Sequence, residues 1–427
     1  MLSNHSLSHA ERVTIIDRHL AGDALHQIAN EMQISYYTAR SYWRCYQHGG
    51  WSALLPRPAG PPATGPLGQY HPRVKYVALR LKRQHRGWGV DKLRLELRRR
   101  PSLAGLVLPK RSALAAYLAR FGARLRRPRR LPTRRPPTPR VPPTAPHQVW
   151  QMDFTGDTAV IGIPGQVVPL MVCDVASGAP LAGQIHTIRR RGRRTGITAR
   201  TVQADLRQVF TRWGLPAAMR MDRDPVFVGG TRLEWPGLIL LWLVGLGVQP
   251  LINRAYQPTD NAIVERNHQT WTAHVVVDQT YADVAAVQAA TDQAYADRRT
   301  CLPSRHRGCA GQPPAIAFPT LLEPRVAYTP EQEAALFDLG RVDAYLATWR
   351  WQRRVDSTGQ ISLNDHNYQI GRAYRGQAIR VQFDPQTRAC VCTTADGQTI
   401  THVQIPEFQL AYLLATTHAE SSEGGAH

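Results

Sequence analysis

Val149-Trp150-Gln151-Met152-Asp153-Phe154 sets apolar residues beside polar ones in a short run that reads as a strand carrying an acid near its end. Two further acids stand in comparable places. Asp222 closes Ala218-Met219-Arg220-Met221, and Glu265 lies about one helical turn beyond the start signal Pro258-Thr259-Asp260. Strand ends and a helix start can converge in space. Three hard oxygen ligands from separate elements, with no His or Cys required, suit two Mg²⁺ ions whose remaining oxygens come from a substrate phosphate. Mn²⁺ is the natural substitute.

Outward from that run, 167–175 and 181–187 read as further strands. Residues 199–213 read as a helix with Val202, Leu206, Phe210 and Trp213 on one face, stopped by Gly214. The pattern continues with a strand at 218–221, a strongly apolar helix at 238–246 and a strand at 248–252. Three strands in hairpin order followed by alternating helices and strands make an α/β sheet of mixed direction. Asp260 reads as the N-cap of the helix bearing Glu265. Asp157 reads as a loop residue, Asp174 as structural, and Asp224 as a rival for the place of Asp222. Residues 227–236, with Gly229-Gly230, read as a surface insertion.

Upstream, Ser8-His9-Ala10-Glu11 is a capping-box start, and Ser35 caps a third short helix after the turn Gln33-Ile34. This is helix-turn-helix spacing, with Ala29, Ile34, Ala39 and Tyr42 or Trp43 inward. Tyr36, Tyr37, Arg40 and Arg44 are left free to enter a major groove. A second helical unit carries Val74, Val77, Leu81, Leu93, Leu97, Leu114, Tyr117, Leu118 and Phe121 at helical spacing. The chain has a formal charge of +22, and residues 71–140 hold 22 Lys and Arg against only Asp91 and Glu96. Arginine-rich codon usage explains why only four of the basic residues are lysines. It does not explain the clustering, which points to a polyanion and above all to nucleic acid. The Pro- and Arg-rich stretch that follows reads as an extended tether separating reading from chemistry. Its Arg126, Arg127, Arg129, Arg130, Arg134 and Arg135 are placed to track a phosphate backbone.

Trp150-Gln151-Met152-Asp153, Asp222 with Phe227 downstream, and Pro258-x-x-Asn261-x-x-Val264-Glu265-Arg266 together resemble the retroviral-integrase-like core of insertion-sequence transposases with a DDE triad. The resemblance covers the N-terminal helix-turn-helix pair and extends through Pro303-Ser304-Arg305-His306 and Gly311-Gln312-Pro313-Pro314. It implies an RNase H-like core and a DNA transposase. Asp153, Asp222 and Glu265 would be both catalytic residues and metal ligands, with Asp153 bridging two Mg²⁺ ions and the other two each completing one shell. The partners it implies are double-stranded DNA, as element ends and as target, and further copies of the chain in a homo-oligomer on DNA. Arg266 is assigned to DNA contact with His268 beside it; surface decoration of the helix is the equal alternative for both. The chain departs from the family at Arg223-Asp224, where Asn-Gly is usual, and at Ala262, where Gly is usual. Those departures motivate a second reading, a catalytically impaired DNA-binding regulator. A simple DNA nuclease is a third.

Beyond the core, alternating apolar and polar residues in short runs between 355 and 403, parted by Asn364-Asp365, Asp384-Pro385 and Asp396-Gly397, fit a small antiparallel barrel after a helix at 340–351. The expected whole is a multidomain α/β protein. It comprises a helix-turn-helix domain (1–58), a second helical, winged-helix-like DNA-binding domain (69–127), a linker (128–147) and an RNase H-like mixed-sheet core (148–300). A connecting segment (301–340), a small β-barrel (341–410) and a disordered tail (411–427) complete it. The six cysteines show no Cys-x-x-Cys pair; Cys301 and Cys309 bracket His306, but a fourth zinc ligand is missing. The longest apolar run is too short for a membrane span and no secretory leader is visible, so a bacterial, cytoplasmic, nucleoid-associated protein is expected.

Overall fold

Local signals at the N-terminus do what their chemistry requires. In a computed structural model that describes residues 7–55, 67–121, 142–188, 196–230, 234–254, 258–364 and 366–415, helix α1 (His9–Leu20) opens on the capping box. The Ser8 amide donates to Glu11 Oε2 at 2.7 Å and Ser8 Oγ accepts from the Glu11 amide at 3.3 Å. Helix α2 (Leu25–Glu31) turns at Gln33, φ 55°, into α3 (Tyr36–Gly49), where Ser35 Oγ accepts from the Thr38 amide at 3.0 Å. Ile15, Ile16, Ile28, Ala29, Ile34 and Ala39 close the core of this unit.

The second unit packs α4 (Pro72–Gln84), α5 (Val90–Arg99) and α6 (Arg111–Arg120) around Val74, Leu81, Leu93, Leu97, Leu114 and Leu118. Its described residues contain no strand. Phe121, expected inside, is 51% exposed because α6 ends one residue earlier and the helical spacing no longer governs its direction.

The α/β sheet has the mixed order β3-β2-β1-β4-β5. Strands β1 (Val149–Phe154), β2 (Gln166–Asp174) and β3 (Pro180–Ile188) pair antiparallel, whereas β1 pairs parallel with β4 (Ala218–Met221) and β4 with β5 (Gln249–Ile252). Helices α7 (Ala199–Trp213), α8 (Pro225–Val228) and α9 (Leu238–Gly245) interleave β3, β4 and β5; α10 (Ala262–Trp271) and α11 (Val284–Thr300) follow. Side chains alternate across the pleat. Trp150, Met152 and Phe154 join Leu206, Phe210 and the wholly apolar α9 on one face. Val167, Met171 and Cys173 meet Val264, Trp271, Val287 and Tyr295 on the other. Gln151 and Asp153 therefore belong to the face that carries α10.

Past the core, a helix over Leu339–Leu346 leads to strands β6 (Trp351–Arg354), β7 (Gln360–Leu363), β8 (His366–Gln369), β9 (Ala378–Asp384), β10 (Ala389–Thr393) and β11 (Thr399–Val403). Where a closed barrel was expected, the described pairings form a four-stranded sheet, β11-β10-β9-β6, and a separate β7-β8 hairpin.

Three readings need correction. The 227–236 segment, expected at the surface, is anchored in the interior by its described residues: Phe227 is fully buried and stacks on Phe154 at 5.2 Å, and Trp235 stacks on Phe408 at 5.1 Å. It joins the sheet core to the C-terminal unit, and one continuous apolar cluster runs through both. Residues 411–415 are not a disordered start to the tail. A helix over Leu410–Leu414 buries Leu413, while Arg200 and Gln203 donate to the carbonyls of Tyr412, Leu413 and Ala415. Nor is the second helical unit held apart from the core. Asp297 of α11 accepts from Lys92 Nζ at 2.6 Å and Arg99 at 2.5 Å, and Asp278 takes a bidentate contact from Arg86. All six cysteines are free, with Cys309 Sγ donating to the Ser177 carbonyl. Among the described residues no helix is long and apolar enough to cross a membrane.

Candidate active site

Gln151 builds the site before any acid enters it. Its Oε1 accepts from the amides of Ile263 and Val264 at 3.1 and 3.2 Å, and its Nε2 donates to the Asp260 carbonyl at 2.9 Å. The first amides of a helix have no partner within it, so a buried acceptor from β1 both satisfies them and fixes where α10 begins. Glu265 projects from the first turn of that helix, and Asp153, two residues beyond Gln151, lies on the same face of β1.

Asp153, Glu265 and His268 each bring one ligand atom to a common point, with all three atoms within 4.8 Å of one another. Glu265 is exposed and the other two are half-buried. His268 Nε2 is itself withdrawn from solvent without a hydrogen-bond partner, and burial pulls the imidazole pKa down to about 4. The ring is therefore neutral near pH 7, with a lone pair available. Two carboxylates and a neutral imidazole form a donor set that fits a divalent cation, the nitrogen suiting Mn²⁺ better than Mg²⁺. Sequence reasoning had marked His268 only as a DNA contact or surface decoration; its spacing of three from Glu265 on one helix was the available signal.

Asp222 is the first residue after the neighbouring parallel strand β4. The ladder between β1 and β4 ends at Gln151 and Arg220, so Asp153 and Asp222 each stand two residues beyond its last pair. The Asp222 carboxylate does not join the three-residue group. Oδ1 accepts from the Asp224 amide at 2.9 Å, and Asp224 in turn caps α8 by accepting from Val226 at 3.1 Å. Arg223 is exposed and donates to the Asn253 carbonyl at 3.3 Å, toward the end of β5. Ala262 opens α10 and is exposed.

Asp260 is not the N-cap of α10. It is 5% exposed and holds Arg254 in a bidentate contact, at 3.0 and 3.2 Å, while Gln151 takes the capping role. Asp174 is structural as expected, fully buried and accepting from His147 and Ser177.

On α3, Tyr36, Tyr37, Arg40 and Arg44 are all exposed on the outer face. Arg126, Arg127, Arg129, Arg130, Arg134 and Arg135 lie outside the described residues. Arg266 is exposed on α10 beside Glu265.

Comparison with known proteins matches residues 11–62 to a helix-turn-helix domain family. Among solved structures, the chain is similar to the catalytic core domain of BIV integrase, with 19% identity over 40% of this chain and 93% of that one, at a TM-score of 0.27. It is similar to the HTLV-2 integrase catalytic core domain in complex with magnesium, with 14% identity over 40% and 97%, at a TM-score of 0.29. A third match is the simian T-cell lymphotropic virus intasome in complex with PP2A regulatory subunit B56 gamma, with 13% identity over 74% and 100%, at a TM-score of 0.33.

Proposed function

We propose that the chain is an insertion-sequence DDE transposase with an RNase H-like core, binding the ends of its element and cutting and joining DNA strands. The observation that carries this is the meeting of Asp153 and Glu265, from a strand and a helix, at one cation-sized point in a chain that begins with a helix-turn-helix. Bound there, a divalent ion would supply electrophilic stabilisation of a phosphodiester under attack. Asp153 and Glu265 would hold it, His268 would close the shell on the buried side, and Asp222 would approach from the adjacent strand to hold a second. Gln151 keeps α10, and hence Glu265, in place relative to Asp153. Tyr36, Tyr37, Arg40 and Arg44 would read the major groove, and the basic second unit would grip phosphates. Pairing two element ends requires at least two copies of the chain.

The regulator reading draws on Asp222, which stands outside the group and is engaged in the turn to Asp224. Incubating wild type and Glu265→Gln with the DNA flanking the gene, in Mg²⁺ or Mn²⁺, separates the readings. Transposase activity predicts end cleavage and strand joining that vanish in the variant. Binding without products in either protein supports the regulator, and cutting without joining supports a nuclease.

A further inference from the structure

Where the second helical unit meets the core, a cavity of about 260 Å³ opens beside α10. Ile263, Arg266, Thr270 and His274 line it as a single stripe, one position off the stripe that carries Glu265 and His268. Arg266 and Arg305 enter from the core side as exposed cations, and no carboxylate among the described residues pairs with either. Arg298 is more telling. Its guanidinium donates to Asn267 Oδ1 but meets no carboxylate, and desolvation lowers its pKa. The two charged groups contributed from the second unit are already matched, Lys92 by Asp297 and Asp91 by Arg111. His306 adds a buried Nδ1 with no hydrogen-bond partner, its pKa lowered by burial and by the nearby Arg266. Gly178, at φ +66°, leaves room for that ring, since a Cβ there would come within 2.6 Å of it.

An uncompensated guanidinium withdrawn from water is costly unless an anion completes it. Half-buried Arg298 and the exposed Arg266 and Arg305, none paired with a carboxylate among the described residues, converge on one cavity with a histidine nitrogen beside them, a set of donors that suits a phosphate. Building on the transposase reading, we infer that this cavity seats a backbone phosphate of the DNA strand whose scissile bond lies at Asp153 and Glu265. The two stripes are neighbours on a helix ~10 Å across. DNA advances ~3.4 Å per nucleotide, so the seated phosphate belongs about two or three nucleotides from the cut. Gly89, Asp91 and Lys92 of the second unit complete the cavity's wall, so docking on α11 and the grip on DNA would reinforce each other.

Two measurements on the full chain test this. Fluorescence anisotropy with a labelled duplex of the gene's flanking DNA gives the slope of log affinity against log salt. Loss of one phosphate contact in Arg298→Met should flatten that slope by about 0.9. Thermal unfolding gives the second. Arg298 is half-buried and its charge has no carboxylate partner, so Arg298→Met should lose little beyond the hydrogen bond to Asn267, and inorganic phosphate should raise the midpoint of wild type only. Should Arg298→Met fail to fold, the double variant Arg266→Gln/Arg305→Gln, exposed at both positions, carries the same slope test. Wild-type slopes in these variants would overturn the inference while leaving transposition standing. A phosphate-dependent midpoint with an unchanged DNA slope would also overturn it, identifying a free-anion site. No DNA binding by wild type would remove the transposase reading itself.

Discussion

Gln151 and His268 show how much of the site depends on residues that are not acids. Gln151 supplies from β1 the acceptor that α10 lacks in its own sequence, since Asn261 makes no side-chain cap. Gln151→Ala should lower stability by ~1 kcal/mol, the usual worth of a helix cap. It should also weaken Mn²⁺ binding in calorimetry, because Glu265 is no longer held opposite Asp153. Unchanged metal affinity would show that α10 is positioned by its packing alone. His268 tests the donor set. An imidazole in the shell favours Mn²⁺ over Mg²⁺, so His268→Ala should lose more affinity for Mn²⁺ than for Mg²⁺. Equal losses, or none, would place the ring outside the shell.

Among the elements, the decisive junction is α5 against α11. Asp297 is 1% exposed; burial alone would raise its pKa, but Arg99 and Lys92 outweigh that and hold it below the usual carboxylate value. Its contribution is therefore present above the unfolded value and lost as pH falls through the lower folded one. Asp297→Asn leaves the largely buried Lys92 facing a neutral partner, with only Glu96 nearby. Breaking a buried pair this way should cost ~3–5 kcal/mol. Denaturant titration reads the loss, and faster proteolysis between the second unit and the core shows where it falls. A change below ~1 kcal/mol would mean that the pair is dispensable. Elements also mark how far sequence reading reached. The strand at 218–221 and the helix at 199–213 emerged with their observed bounds because local periodicity decides them. Trp235, Asp260 and Leu413 were misread because their partners, Phe408, Arg254 with Gln151, and Arg200 with Gln203, belong to tertiary structure that no local pattern displays.

Across the whole molecule, His147 ties the strand order to the connecting segment. It is 2% exposed, its Nδ1 accepts from the Trp150 indole at 3.2 Å, and its Nε2 lies 3.2 Å from the Leu321 carbonyl. The indole can only donate, so Nδ1 must be bare and the Nε2–H tautomer present. Burial lowers the pKa of this histidine. Because the unfolded chain takes up its proton near ~6.5 and the native chain only at lower pH, stability is full above that value and falls as the solution is acidified. Thermal midpoints should decline from neutral pH downward, and His147→Asn should flatten the decline. An identical profile in the variant would assign the acid loss to other groups. The convergence of Asp153 with Glu265 was legible in the sequence as a spacing of acids and start signals. The company of His268 and the absence of Asp222 from that group were not, because both depend on side-chain direction at the ends of interior strands.

The Asp297 anchorage gives the molecule something like the jaws of a caliper. The second helical unit is fixed to the core by direct contact of Lys92 and Arg99 with Asp297 on α11, the helix that follows α10. On the proposed transposase reading, the interval between the base pairs gripped and the bond exposed to attack would then be a dimension of the protein. Such an instrument would report the same cut position whatever the length of the Pro- and Arg-rich stretch between its jaws, and would blur only when the contact at Asp297 is loosened.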